Sequence, residues 1–497
     1  MIDTDYPNAA AAYEVFVRSG WTWPLGENPD FGGVNIFFSD AAPWLALSAK
    51  FIYGATSWLL EFHWLLLINT MLFALMARRL AHLVVKDEVD RWFITLLLIF
   101  SLIMPVRMIG AQHIALSSYW VVLWAMCCVP LANENKERFF KRWEFLFVLS
   151  FSILTHAYLG AMSIVLVGGL LISERRWFSL PFVLLVPLLC LYVLGVFHGE
   201  HSTTEGAKAY SLDILAFFES LGWGVIPNLY EIKNPTQGDA ILYLGTGVVG
   251  LIVVLALFLL WKLLVVREHF PFNLEKAVSF LKTAEGKRFW VLFASSFFLA
   301  LYAMAFSIRV ADHVVLSWDI PPGIELLYER FRVAGRFAAP MAYMLIISVA
   351  LAWSAIRKES FKTVVFLVTL LSVVLQISDV RYAGSKSPPE SWLKDAQVQR
   401  NSVEKILEPG GWSGRVFKDV GYFELEQQRL LDKLLVDYGA REFSVVHGAR
   451  LDPDEVKRRS GFENAERGDV AIFVSGARGP ECQRSTQVKS FTLCVLQ

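Results

Sequence analysis

Residues 338–379 read AAPMAYMLIISVALAWSAIRKESFKTVVFLVTLLSVVLQISD. Two apolar runs, 338–356 and 362–379, flank a short basic break at Arg357, Lys358 and Lys362. Each run is close to the ~20 residues that carry a helix across a bilayer. The same measure applied outward finds runs at 63–80, 92–109, 112–132, 143–155, 157–173, 178–197, 240–265 and 289–309. The junction between 143–155 and 157–173 is the least marked, and the two could form one bent segment. The expectation is a mostly α polytopic transmembrane bundle of about ten spans.

Composition agrees. The chain of 497 residues is 55% hydrophobic and only 19% charged, with mean hydropathy +0.46. Soluble domains carry about a quarter charged residues. The charge is also concentrated. From Arg381 onward there are 18 Lys and Arg and 17 Asp and Glu, more than a third of the charge in under a quarter of the length. Zero formal net charge gives no electrostatic footprint for nucleic acid.

Charge also orients the spans. Arg78, Arg79, Lys86 and Arg91 lie in the first connection, and Lys136, Arg138, Lys141 and Arg142 in the third. Arg175 and Arg176 lie in the fifth, Lys262 to Arg288 span the seventh, and Arg357 to Lys362 the ninth. Every odd connection is basic, which puts all of them in the cytoplasm. The agreement would fail if 143–155 and 157–173 were one span. Residues 1–62, the loops at 198–239 and 310–337, and the tail from 380 then lie outside. The division is a first external segment (1–62), a membrane domain (63–379) and a soluble extracytoplasmic tail (380–497).

The tail reads as a small α/β domain. Residues 390–408 and 422–437 have helical spacing, while 414–417, 443–446, 469–474 and 489–496 have strand composition. Cys482 and Cys494 could pair there if the tail is outside the cytoplasm. Cys127, Cys128 and Cys190 sit in apolar runs and read as small buried hydrophobes. No cysteine spacing resembles a zinc site, and the chain opens without a cleavable signal peptide.

Polar residues at the external face are the candidates for chemistry. The first segment carries Asp3, Asp5, the aromatic stretch Trp21-Thr22-Trp23-Pro24, then Ser39-Asp40-Ala41-Ala42-Pro43 and Lys50. Asp40 before Ala-Ala-Pro fits a helix N-cap, which does not exclude catalysis. Residues 44–60 form an amphipathic stretch suited to the membrane interface. Before the ninth span, Glu329-Arg330-Phe331-Arg332-Val333-Ala334-Gly335-Arg336 sets three arginines on the side where the charge rule disfavours them. They are either snorkelling anchors or phosphate ligands, since guanidinium forks match phosphate oxygens. Arg332 and Arg336 would share a face if helical. His113, with Arg107 nearby, and His156 lie near external span ends. Each is a site candidate or a structural hydrogen-bonder. Gly238-Asp239 reads as a turn and cap, with Asp239 facing the same compartment.

The order of these elements resembles a bacterial group within the C-type glycosyltransferase superfamily (GT-C). It runs from an acidic first external loop through Ser-Asp-x-x-Pro, a later Tyr-Leu-Gly at 243–245 and Arg-x-x-x-Arg-Phe at 332–337 to an external tail. The resemblance covers about residues 1–380. It implies transfer of a sugar from a polyprenyl-phosphate or polyprenyl-diphosphate donor to a glycan or lipid acceptor, at the outer face of the bacterial inner membrane. It makes Asp5 or Asp40 the general base, with Asp3 as neighbour, and gives Arg332 and Arg336 the donor phosphate. Arg107 and Lys50 join them as phosphate candidates. Some relatives hold a diphosphate with a divalent metal such as Mg or Mn, and Asp5 with Asp40 could bind one, although two carboxylates are a weak metal signature. The superfamily places a membrane helix ahead of the first loop, so an eleventh span is expected upstream in a full-length relative. The rival readings are a lipid or sugar transporter, which calls for mid-membrane charge or internal repeats that the sequence lacks, and a non-catalytic scaffold.

Overall fold

The protein is described by a computed structural model. It covers residues 6–109, 113–128, 139–198, 207–231, 234, 241–266, 283–359 and 362–386, and in the tail 397, 400, 401, 403–405, 407, 415–418, 428–438, 440–443, 465–467, 469–474, 482–488 and 491–496. The chain begins with α1 (Tyr6–Arg18) and α2 (Pro43–Thr56). The membrane domain follows as α3 (Trp64–Val84), α4 (Glu88–Ile99), α5 (Ile103–Ile109), α6 (Trp120–Cys127), α7 (Phe139–Thr155), α8 (Ala157–Ser173), α9 (Phe182–Leu194) and α10 (Thr246–Trp261). It continues with α11 (Ala284–Ala303), a hairpin of β1 (Ser307–Val310) and β2 (His313–Ser317), α12 (Pro322–Arg330), α13 (Ala339–Glu359) and α14 (Lys362–Ser385).

Among the described residues, 6 helical segments are long and apolar enough to cross a membrane: Trp64–Val84, Glu88–Ile109, Trp177–Leu194, Thr246–Leu264, Ala334–Ile356 and Thr363–Ser385. Trp143–Thr155 and Ala157–Ser173 are shorter apolar helices. The chain turns sharply between them at His156, whose backbone is extended at φ −166°. α7 and α8 pack on each other, so they are separate elements.

Two of the apolar runs differ from the reading of the sequence. Among the described residues of 112–132, only Trp120–Cys127 is helical. Residues 113–119 stay irregular because Asn69 on α3 serves their polar groups. Its amide nitrogen donates to Ile114 O (3.0 Å) and Ser117 Oγ (2.9 Å), and its oxygen accepts from Ser118 Oγ (2.7 Å) and Trp120 Nε1 (3.0 Å). Irregular backbone at membrane depth is tolerated where protein satisfies it. The run 289–309 stops being helical after Ala303, and Ser307 already belongs to β1.

The Tyr243-Leu244-Gly245 element is a structural lock. Gly245 has φ +98°, a conformation that side chains other than hydrogen rarely allow. Asp379 on α14 accepts from Thr246 N (2.5 Å) and Thr246 Oγ1 (2.7 Å) at the start of α10, and from Val225 N (2.8 Å). Gln376 accepts from Gly247 N (3.1 Å) and donates to Leu244 O (2.7 Å). A carboxylate at a helix N-terminus is favoured by the helix dipole as well as by these bonds. Helices α10 and α14 touch here so closely that a Cβ on Gly247 would lie 1.9 Å from Ser372 O.

The tail contains β3 (Arg415–Lys418), α15 (Gln428–Asp437), β4 (Glu442–Phe443), β5 (Val470–Val474), β6 (Cys482–Val488) and β7 (Phe491–Leu496). The strand order is β4-β3-β5-β7-β6. β3 pairs in parallel with β4 and β5, while β7 runs antiparallel to β5 and β6. β6 was not expected: CQRSTQV is polar, as an edge strand exposed on its outer side can be. A disulfide joins Cys482 to Cys494 with the Cα atoms 5.6 Å apart, linking β6 to β7. Of 390–408, the described residues 397, 400, 401, 403 and 404 are helical.

The first segment is not a free loop ahead of the membrane domain. α1, which the sequence reading missed, is buried in a core shared with α2, the start of α3 and the tail. Ala9, Ala12, Tyr13 and Phe16 pack in the same cluster as Leu431 and Leu435 of α15. Glu14 pairs with Lys433 at 2.8 Å. Gly32 N donates to Phe443 O (2.9 Å) and Phe443 N to Asp30 O (2.8 Å), so the segment extends the tail sheet beside β4. The first segment and the tail thus form one folded body around a common core.

Candidate functional site

Asp40 sits in a strained turn. Its φ is +54° and that of Ala42 is +48°. Non-glycine residues held there cost about 1–3 kcal/mol each and cluster at functional sites. Asp40 is not the N-cap of α2: that position is Ala42, which makes no side-chain cap bond, and Pro43 opens the helix. The carboxylate turns instead toward α8. Asp40 Oδ1 lies 3.5 Å from His156 Nε2, with the two side chains 14% and 18% exposed.

His156 caps α8. Its Nδ1 accepts from Tyr158 N at 3.2 Å. A ring nitrogen that accepts is unprotonated, so the neutral imidazole carries its proton on Nε2, the atom facing Asp40. Tyr158 carries the connection onward. Its hydroxyl accepts from Val333 N at 2.8 Å, and the Arg336 guanidinium lies over its ring at 5.1 Å. Phe331, Phe337 and His156 also pack on the ring, at 5.3, 5.5 and 5.5 Å between centroids.

Arg336 is buried in the 3-10 turn Ala334–Ala338 that leads into α13. Arg107 on α5 is also buried, at 1% exposure. The Tyr119 hydroxyl lies within electrostatic reach of both guanidiniums. Tyr119 and Tyr343 meet edge to face at 6.1 Å. The structure therefore links Asp40, His156, Arg336 and Arg107 through Tyr158 and Tyr119. The sequence reading named the first four and missed both tyrosines. The available signal was local: Tyr158 follows His156 by two residues, and Tyr119 closes the polar Ser117-Ser118-Tyr119 inside an apolar run.

Other candidates lie differently. Arg332 and Arg336 do not share a helix face, because α12 ends at Arg330 and the turn bearing Arg336 starts at Ala334. Gly335 N donates to Tyr210 O (2.9 Å), and Arg332 stacks on the Tyr210 ring at 5.1 Å. Arg332 thus faces the 207–213 loop while Arg336 faces α8. His113 is tied to Arg107 through the backbone, N to O at 3.0 Å. Glu329 is half-buried on α12. Asp3, Asp5 and Asp239 lie outside the described residues.

Lys50 belongs to another neighbourhood. It is 2% exposed. Its ammonium lies 4.0 Å from the Phe16 ring centre and 5.3 Å from that of Trp21, and it donates to Ser19 Oγ at 3.0 Å. Burial lowers its pKa from 10.5 to about 8, against the attraction of the Asp30 carboxylate. The folded protein therefore releases this proton before the unfolded chain does, and the penalty for burying the charge is complete below the folded value. Lys50→Met should melt higher than wild type at pH 7. That advantage should fade as pH rises from about 8 to 10.5, because lysine is then neutral in both states. A lower melting temperature for Lys50→Met at pH 7 would contradict this account.

Among the described residues, no three His, Cys, Asp or Glu side chains gather as a metal site. Asp40 and His156 offer a divalent cation two ligands, and Asp5, the other carboxylate named for one, lies outside the described residues.

Residues 1–381 match DUF6311, a domain of unknown function. The chain belongs to this family. Its match covers the first segment, the membrane domain and every residue linked in the site, and stops in the last turns of α14. No curated protein and no solved structure matches the chain. The DUF6311 match carries no activity with it, so chemistry has to be argued from the side chains.

Proposed function

We propose that this DUF6311 protein is a membrane glycosyltransferase that takes a sugar from a polyprenyl-phosphate carrier and passes it to a glycan or lipid acceptor. The observation that carries the reading is the half-buried Asp40–His156 contact at 3.5 Å, connected through Tyr158 to the buried Arg336. A carboxylate that can accept a proton stands at one end of the linked residues, and guanidiniums that can hold a phosphate stand at the other.

Asp40 removes the proton of the acceptor hydroxyl as that oxygen forms its bond to the anomeric carbon. The bond from that carbon to the donor phosphate oxygen breaks, and the lipid phosphate leaves with the electron pair. Arg336 and Arg107 stabilise the charge that develops there. His156 Nε2 orients the carboxylate. The transition state is oxocarbenium-like, and the single displacement inverts the anomeric centre.

The membrane arrangement proposed is about ten spans, with the basic odd connections inside and the tail outside the cytoplasmic membrane. The Cys482–Cys494 disulfide supports that side for the tail. The test is a host lacking the gene, complemented with Asp40→Asn or Asp5→Asn and scored for surface polysaccharide. Loss of product with Asp40→Asn at normal protein level supports the reading. Unchanged glycan with both variants sinks it.

A further inference from the structure

The hairpin β1–β2 and α12 present an apolar surface that the fold leaves uncovered. β2 is exposed along its whole length. Val314, Val315 and Leu316 are 50%, 65% and 48% exposed, so three successive apolar side chains of β2 are open. Trp318 beyond the strand and Leu326 and Leu327 on α12 are exposed in the same way. Contiguous exposed apolar surface of this kind marks an interaction site.

The segment is held firmly from the other side. Asp312 N donates to Asp213 Oδ2 (2.6 Å), and Arg309 Nε to Ser211 Oγ (2.9 Å). Trp318 N donates to Phe306 O at 2.9 Å. The Tyr328 ring of α12 stacks on Tyr302 at 4.5 Å, and its hydroxyl donates to Tyr302 O at 2.9 Å. Arg309 and Asp312 thus turn into the protein, with Asp312 only 4% exposed in its side chain, while the aliphatic side chains of β2 stay exposed between His313 and Ser317.

What covers the surface follows from its neighbours. α11, which ends just before β1, carries Phe297, Phe298 and Leu301 exposed, and the apolar helices α10 and α14 expose Leu257, Leu260, Phe366 and Leu367 in the same manner. That surface meets acyl chains where helices of this kind cross a bilayer. The hairpin continues it. Its strands of 4 and 5 residues fall short of the roughly 9–11 needed to span.

We propose that β1–β2 and α12 form a monotopic element immersed in one bilayer leaflet, with lipid acyl chains as the partner. α12 runs directly into Arg332 and the turn bearing Arg336. The immersed element is then a side wall of the site that faces lipid, so an amphiphile reaches the arginines from within the leaflet. The inference does not depend on sugar transfer.

The test uses full-length protein in phosphatidylcholine–phosphatidylglycerol vesicles. Cys127, Cys128 and Cys190 are replaced by Ala and the disulfide is kept. Spin labels are placed one at a time on cysteines replacing Val315 and Leu326, with Leu257 as the lipid-facing reference and Arg400 as the aqueous one. Power saturation by oxygen is compared with that by a water-soluble nickel chelate. The expected result is that Val315 and Leu326 follow Leu257, with oxygen dominant. Labels that follow Arg400 overturn the proposal. So do labels shielded from both reagents and broadened by a second spin, which would mean a second copy covers the face. Two positions keep the test informative if a label at one of them disturbs folding.

Discussion

Asp40→Asn should lower transfer by about 10²–10⁴-fold, the usual contribution of a positioned general base, with little change in the amount of folded protein. Asparagine keeps the size of the side chain and tolerates the left-handed backbone that Asp40 adopts at φ +54°. Alanine at the same place would confuse loss of the base with backbone strain. His156→Asn is the matching change. It keeps an oxygen able to accept from Tyr158 N at the head of α8 and removes the imidazole that faces Asp40 at 3.5 Å. If His156 acts by orienting the carboxylate, it should cost about tenfold alone and almost nothing once Asp40 is Asn, since residues acting as a unit are not additive. Initial rates with the purified protein and a polyprenyl-phosphate sugar donor measure both effects. Additive losses would separate the two residues, and a full rate for Asp40→Asn would remove the base.

The residues that allowed this test to be framed were visible before the structure for one reason: they are polar where composition disfavours polarity. Arg336 stands in a cluster of three arginines just ahead of an apolar run, and His156 interrupts two apolar runs. Tyr158 and Tyr119 gave only the weaker local signal of polar neighbours, because tyrosine is ordinary at membrane borders. Their role comes from partners distant in sequence. Tyr158 is placed by Val333 N, a contact across 175 positions.

The same distinction divides the fold. Apolar runs reveal helices that satisfy their own backbone, as in Trp64–Val84 and Thr363–Ser385. They mislead where another segment supplies the hydrogen bonds. Asn69 does so for 113–119, and Gly335, drawn to Tyr210 O, interrupts the helix that would have aligned Arg332 with Arg336. α1 was missed because four alanines in YPNAAAAYEVFVR give a weak period. Its burial is a property of the tail packed on it. The Asp40 cap reading failed by two positions, with Ala42 at the N-cap, and that shift is what leaves the carboxylate directed at α8.

Arg336→Lys separates the two meanings of the arginine cluster. A membrane anchor needs a positive charge on a long stem, which lysine supplies. A phosphate ligand that binds through two parallel hydrogen bonds needs the planar fork, which lysine lacks. The guanidinium lies 5.1 Å from the Tyr158 ring centre and is 7% exposed, so it is held beside that ring. Losing one charge-assisted pair amounts to about 1.5–3 kcal/mol, or roughly tenfold to more than a hundredfold. That loss should fall on kcat as well as on the KM for the lipid-phosphate donor, because the guanidinium meets charge that grows as the phosphate leaves, while the KM for the acceptor stays within about twofold, because Asp40 and His156 are untouched. Arg336→Ala should lose the stacking contact as well, about 2 kcal/mol for a desolvated cation–π pair, and should show a lower yield of folded protein. Melting temperature and donor KM measured on both variants decide the matter. Wild-type kinetics for Arg336→Lys, with a fall in stability confined to Arg336→Ala, would reduce Arg336 to an anchor and leave Arg107 as the remaining phosphate candidate.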